Sequence, residues 1–137
     1  MKLIDTCGWI EELTASPLAE RFSPDLQHPE ALIVPTVVQY ELYKWICRER
    51  DEMTALAVID ITRQCQVIPL DTSLALLAAG LARQYQLSVA DAIIYATARQ
   101  EAVSTEAEIL RYFPSPPTPL PEGEGRKKIR ENFCFST

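Results

Sequence analysis

The sequence has a single histidine, His28, and its four cysteines, at positions 7, 47, 65 and 134, include no C-x-x-C pair. A zinc knuckle needs clustered cysteine and histidine ligands, and a small disulfide framework needs paired cysteines, so neither is indicated. Reduced thiols in a cytoplasm are expected instead. Long apolar runs are also missing. None would cross a bilayer, and the opening Met1-Lys2-Leu3-Ile4-Asp5 reaches a carboxylate after two apolar residues, unlike an export signal. The expectation is a soluble, unexported, cytoplasmic protein with no membrane contact. Positive charge is scarce, with 13 Lys and Arg against 19 Asp and Glu and a net charge of −6. That balance excludes a broad basic surface that grips nucleic acid regardless of sequence. It leaves open a nucleic-acid substrate, because an acidic site that recruits Mg²⁺ or Mn²⁺ becomes locally attractive to phosphate.

What is present is enough for one domain with a core: 137 residues, 47% of them hydrophobic. Leu3-Ile4 reads as a short buried strand ending at Asp5, with Thr6-Cys7-Gly8 as the turn out of it. A carboxylate at the C-terminal end of a first strand stands where open α/β sheets place ligand groups. Ser16-Pro17 predicts a short helix over about 17–22, stopped by Ser23-Pro24, and 25–30 reads as loop. Ala31 to Val34 is a second strand closed by Pro35. Thr36-x-x-Gln39 fits a capping box, opening a helix through about residue 49 whose apolar side is Val37, Val38, Leu42, Trp45 and Ile46. Glu41 lies among Val37, Val38 and Trp45 on that cylinder, away from the arc a solvated glutamate would take.

A further helix is predicted over 54–64, with Leu56, Ile59 and Val58 as its apolar residues, and a third strand over 66–70. Asp71-Thr72-Ser73 caps a leucine- and alanine-rich helix over 74–86. Ser88-x-x-Asp91 opens the most regular helix of the chain, within Leu87 to Gln100. On a 3.6-residue period Asp91 falls in line with Ile94, Tyr95, Ala98 and Ala102, on the small-residue face that should pack inward. A lone buried charge there would be costly. Strands alternating with helices predict an α/β domain with a mostly parallel sheet.

Asp5, Glu41 and Asp91 thus form a candidate constellation that only a fold can assemble. Three carboxylates converging in a partly buried cleft repel one another unless a divalent ion neutralises them. An all-oxygen set suits Mg²⁺ or Mn²⁺. Such an ion acidifies bound water and stabilises charge on a departing oxygen, which is the chemistry of phosphodiester hydrolysis. Each residue also has a plainer reading. Asp91 can complete a helix N-terminus with Ser88, Asp5 can be a turn residue, Glu41 can pair with Lys44, and Thr6 can be a turn or cap hydroxyl.

Three pieces, Leu3-Ile-Asp-Thr6, the Val38-x-x-x-Leu42 helix carrying Glu41 after a Pro-terminated strand, and Leu87-Ser-Val-Ala-Asp-Ala-Ile-Ile-Tyr-Ala-Thr-Ala98, carry a resemblance. Residues 1–103 resemble the PIN-domain ribonucleases, in particular the VapC-type toxins of bacterial toxin-antitoxin pairs. The resemblance implies a PIN-like three-layer α/β/α sandwich with a central, mostly parallel sheet. It also implies a Mg²⁺- or Mn²⁺-dependent endoribonuclease site at Asp5, Glu41 and Asp91, homodimerisation, and neutralisation by a cognate antitoxin. Lys44, Arg48 and Arg99 are candidates for phosphate contacts.

Residues 104–137 depart from that pattern. Five of the ten prolines fall between Pro114 and Pro121, and a basic stretch beginning Arg126-Lys-Lys-Ile-Arg130 follows. This tail is expected to be poorly ordered and to replace the C-terminal strand or strands of the family, together with a fourth acidic position. Glu106 and Glu108 are the acidic residues nearest to filling that place. The alternative function is a catalytically impaired PIN scaffold that only binds its antitoxin. Aspartyl-phosphatase chemistry at Asp5 ranks lower, since haloacid-dehalogenase-like enzymes carry a second aspartate two residues on and position 7 here is Cys.

Overall fold

The computed structural model describes residues 1–17, 19–21 and 23–101. They fall into two compact units, Met1–Pro69 and a second that begins at Leu70. The expected tail over 104–137, with Glu106 and Glu108, lies outside the described residues.

The first unit is built on a parallel sheet in the order β1 (Lys2–Leu3), β2 (Leu32–Pro35), β3 (Gln66–Ile68). Leu3 pairs with Ile33, and Pro35 with Ile68. Every residue of β2 is buried, as a middle parallel strand covered on both faces requires. Proline is tolerated in it because Pro35 is its last residue, where the chain is about to leave the ladder.

Helix α1 (Thr6–Leu13) follows β1 directly, where a turn was expected. The reason is Asp5, whose extended backbone and side-chain oxygen cap the helix through the Gly8 N–H. The predicted helix over 17–22 shrinks to a 3₁₀ turn, Ala19–Arg21. The expected loop holds a one-turn helix, α2 (Ser23–Leu26), and a second 3₁₀ turn, Pro29–Ala31. Prolines near the start of each of the latter two fit the first turn, where a missing N–H costs nothing.

Helix α3 (Thr36–Glu49) leaves β2 without a linker. Its N-cap position is Pro35, which has no capping side chain, so the predicted capping box does not form. Gln39 instead donates to Thr62 Oγ1 at 2.9 Å, joining α3 to α4 (Glu52–Thr62). The paired helices bring Val38, Leu42 and Ile46 of α3 and Ala55, Val58 and Thr62 of α4 into the core. Leu56, expected inside, is 52% exposed. Ala55, Val58 and Thr62 recur at i, i+3 and i+7 and define the inward face, and Leu56 lies about 100° round the helix from Ala55.

In the second unit, α5 (Thr72–Tyr85) is capped by Asp71, whose Oδ1 accepts from Leu74 N at 2.8 Å. It ends on Gln86, which adopts the left-handed region at φ 54° and returns its N–H to Ala82. Helix α6 (Val89–Glu101) packs on α5, with the Tyr85 and Tyr95 rings edge to face at 6.0 Å. Seven consecutive residues of α6, Ala92 to Ala98, are buried. The buried Thr97 hydroxyl is satisfied by Ile93 O at 2.8 Å. Among the described residues no helix is long and apolar enough to cross a membrane.

Candidate metal and catalytic site

The site begins where β1 ends. Ile4 is almost fully buried and fixes the strand exit, so the next residue, Asp5, stands at the head of α1. Asp5 Oδ1 accepts the Gly8 N–H at 2.9 Å. Burial pushes the Asp5 carboxyl above its ordinary value, the Gly8 N–H pulls it back down, and the neighbouring Glu41 charge adds to the rise. Burial outweighs the favourable helix terminus here, so an ionised Asp5 is short of positive charge.

Glu41 reaches the same place from α3. Val38 and Leu42, one turn apart, are completely buried and clamp the helix, while Glu41 stands beside them half-buried. Its Oε2 accepts the hydroxyl of Thr6 at 2.5 Å. Thr6 is 4% exposed, so this hydroxyl belongs to the interior and its proton is committed to the carboxylate. Glu41 therefore does not take the alternative of pairing with Lys44, whose ammonium lies 5.9 Å from the Tyr40 ring centroid.

Thr6 is the residue that sequence reasoning undervalued. As a turn or cap hydroxyl it had only a local role, whereas it bridges to a carboxylate 35 residues away. The signal was its place directly after Asp5, which becomes informative only once a helix rather than a turn starts there.

Asp91 lies in the second unit, half-buried in the first turn of α6. Its carboxylate accepts the Ser88 hydroxyl, and Ser88 Oγ accepts the Asp91 N–H at 3.3 Å. This reciprocal pair is the predicted cap. Of the three predicted site residues, Asp5 and Glu41 are thus together in the first unit, and Asp91 holds the helix start of the second. Among the described residues no group of three or more His, Cys, Asp or Glu side chains is arranged to hold a metal ion. Asp5 and Glu41 nevertheless offer a hard, all-oxygen pair with a raised carboxyl, a donor chemistry that fits Mg²⁺ or Mn²⁺ rather than a softer ion. Lys44, Arg48 and Arg99 are exposed, with Arg48 Nε on Glu49 at 2.8 Å.

Comparison with known proteins bears on the family and the fold. The family model described as PIN domain matches residues 2–105. A solved structure described as a toxin-antitoxin complex from Klebsiella pneumoniae superposes with a TM-score of 0.60 at 20% identity, covering 74% of this chain and 81% of that one. At that identity the likeness is one of fold. Comparison with curated proteins gives no match.

Proposed function

The chain belongs to the PIN-domain family and has its α/β fold, and from that premise we propose that it is a divalent-cation-dependent endoribonuclease, the toxin of a toxin-antitoxin pair. The observation that carries the reading is the gathering of two half-buried carboxylates about a buried hydroxyl in one polar cluster, Asp5, Thr6 and Glu41, at a strand end. The helix cap accounts for one oxygen of Asp5, but not for a carboxyl kept above its ordinary value beside another carboxylate. Residues held at such a cost to stability are most economically explained by a ligand that removes it.

The metal ligands in this reading are Asp5, Glu41 and Asp91. When bound, a Mg²⁺ or Mn²⁺ ion supplies charge to stabilise the departing oxygen of an RNA phosphodiester and acidifies the attacking water. The chain's own contribution is orientation. The Gly8 N–H fixes one oxygen of Asp5, and the Thr6 hydroxyl fixes the Glu41 carboxylate, so that the second oxygen of each would be the one to hold a water or the ion. Asp91 enters through its place in the Ala90-Asp91-Ala92-Ile93-Ile94-Tyr95 helix start, half-buried with Ser88 on its carboxylate.

A cognate antitoxin fits the same chemistry, because an arginine inserted by another chain satisfies a carboxylate pair bidentately and displaces the ion. Homodimerisation and action in the cytoplasm belong to the same reading. A catalytically impaired scaffold that only binds an antitoxin is the second reading. Metal affinity and RNA cleavage separate the two, since the scaffold needs neither.

Growth arrest on induced expression tests the proposal. The wild type is expected to stop growth, and Asp5→Asn, Glu41→Gln and Asp91→Asn are each expected to relieve the arrest at equal expression. Full toxicity in the Asp5 and Asp91 variants would remove the site assignment. No arrest and no RNA cleavage by a folded wild type would leave the scaffold.

A further inference from the structure

One strip of α3 is used neither by the core nor by the carboxylate pair. On a helix turning about 100° per residue, buried Val38, Leu42 and Ile46 lie to one side of Glu41, and Arg48, Lys44 and Tyr40 follow on the other, at about 20°, 60° and 100°. Tyr40 is 64% exposed, so its ring contributes little burial to the fold. The Lys44 ammonium lies 5.9 Å from that ring's centroid, within range of a cation–π contact. Arg48 continues the row one turn on, its Nε on Glu49 and its side chain 63% exposed. Of the four charges on α3, Lys44 and Arg48 balance Glu41 and Glu49, and both cations fall on the side of Glu41 that also carries the exposed ring.

These are the two parts of single-strand nucleic-acid recognition: a π-face for a base, and cations along a helix for the adjoining phosphates. We propose that Tyr40, with Lys44 and Arg48, forms a stacking subsite for an unpaired ribonucleotide base on the face of α3 next to the one that carries Glu41. Building on the ribonuclease reading above, the subsite holds one base of the RNA while the carboxylates act on a phosphodiester further along the strand. A docking patch for another protein would surround the tyrosine with apolar side chains. Here the neighbours Val37 and Tyr43 are half-buried, and the exposed side chains that continue the row, Lys44 and Arg48, are both cations, which match phosphate.

The test uses the full-length chain and a fluorescein-labelled unstructured RNA of twelve nucleotides, read by anisotropy in Ca²⁺ and by cleavage in Mn²⁺, with the matching RNA duplex in parallel. Tyr40→Ala is expected to weaken single-strand binding by about tenfold, the size of one lost base stack, and to lower kcat/KM mainly through KM. Tyr40→Phe keeps the ring and is expected to stay within about twofold of wild type. Lys44→Ala is expected to reduce the slope of log K against log salt by about 0.7, the value for one phosphate on a single strand, while Tyr40→Ala leaves the slope unchanged. On the duplex, whose bases are already stacked, Tyr40→Ala is expected to have no effect. Wild-type binding by Tyr40→Ala, or an equal loss in Tyr40→Phe, would overturn the subsite while leaving the nuclease intact. A wild type that neither binds nor cleaves RNA would overturn the nuclease and the subsite together.

Discussion

Asp5 is asked to do two opposed things, and two substitutions separate them. As N-cap of α1 it stabilises the fold through the Gly8 N–H at 2.9 Å. As a buried carboxylate near Glu41 it destabilises the fold when ionised. Asparagine keeps the accepting oxygen and removes the charge, whereas alanine removes both, at a cost of about 1 kcal/mol for a lost cap. For a domain of this size that is about 4 °C in Tm. The folded carboxyl sits above its ordinary value of 3.8, so the native state binds its proton more tightly than the unfolded chain does. Stability is then lost as pH rises from the unfolded value through the raised folded one, and remains lost above it. In metal-free buffer at pH 7, Asp5→Asn is therefore expected to melt at or above the wild type, with the gap closing as pH falls below about 4. Asp5→Ala is expected to melt about 4 °C below Asp5→Asn at every pH. Excess Mn²⁺ should reverse the order of wild type and Asp5→Asn, since at a hundred times Kd a bound ion adds about 2.7 kcal/mol to whichever chain binds it. Differential scanning fluorimetry across pH, with and without Mn²⁺, reads all three. Equal melting of the Asn and Ala variants would refute the cap. A metal-free wild type more stable than Asp5→Asn at neutral pH would refute the strained carboxylate.

Thr6→Val removes the buried hydroxyl at constant shape and leaves Glu41 without its donor, so a loss of about 1.5 kcal/mol is expected by denaturant unfolding, together with reduced RNA cleavage. Thr6→Ser should restore both. Gln39→Ala is expected to cost about 1 kcal/mol by parting the α3 and α4 bridge at Thr62, with little effect on cleavage once the variant is folded. The 2.8 Å hydrogen bond from the Tyr43 phenol to Glu52 pushes that phenol up to about 12, and NMR titration should find Glu52→Gln returning it toward 10.0. The stability from that bond is present below the ordinary tyrosine value and lost as pH rises through about 12.

The sheet and the later helices were readable because their signals are local. Leu32 to Pro35 is an unbroken apolar run ended by proline, and Asp71 and Ser88 stand where a helix start needs an oxygen. The start of α1 was not readable, because Asp5 followed by threonine, cysteine and glycine satisfies a turn and a helix cap equally well. The helix also buries Trp9 and packs on α3, and neither is visible in those four residues. The capping box at Thr36 failed for a related reason. Pro35 carries the strand straight into the helix, and Gln39 finds a partner 23 residues away instead of its own backbone. In the candidate site, the unfavourable placement of Asp5 and Glu41 was legible from their apolar neighbours, but their meeting through Thr6 required the fold. Asp91 was legible as a cap from Ser88 alone.

The central claim is that Asp5 belongs to a metal site that cuts RNA. Calorimetric titration of Mn²⁺ into the purified full-length protein, run beside Asp5→Asn and paired with cleavage of an unstructured RNA, tests it most directly. The account predicts one-site Mn²⁺ binding and Mn²⁺-dependent cleavage by the wild type, both lost in Asp5→Asn. A folded wild type that takes up no Mn²⁺, or an Asp5→Asn variant that binds and cleaves as well as wild type, would contradict it.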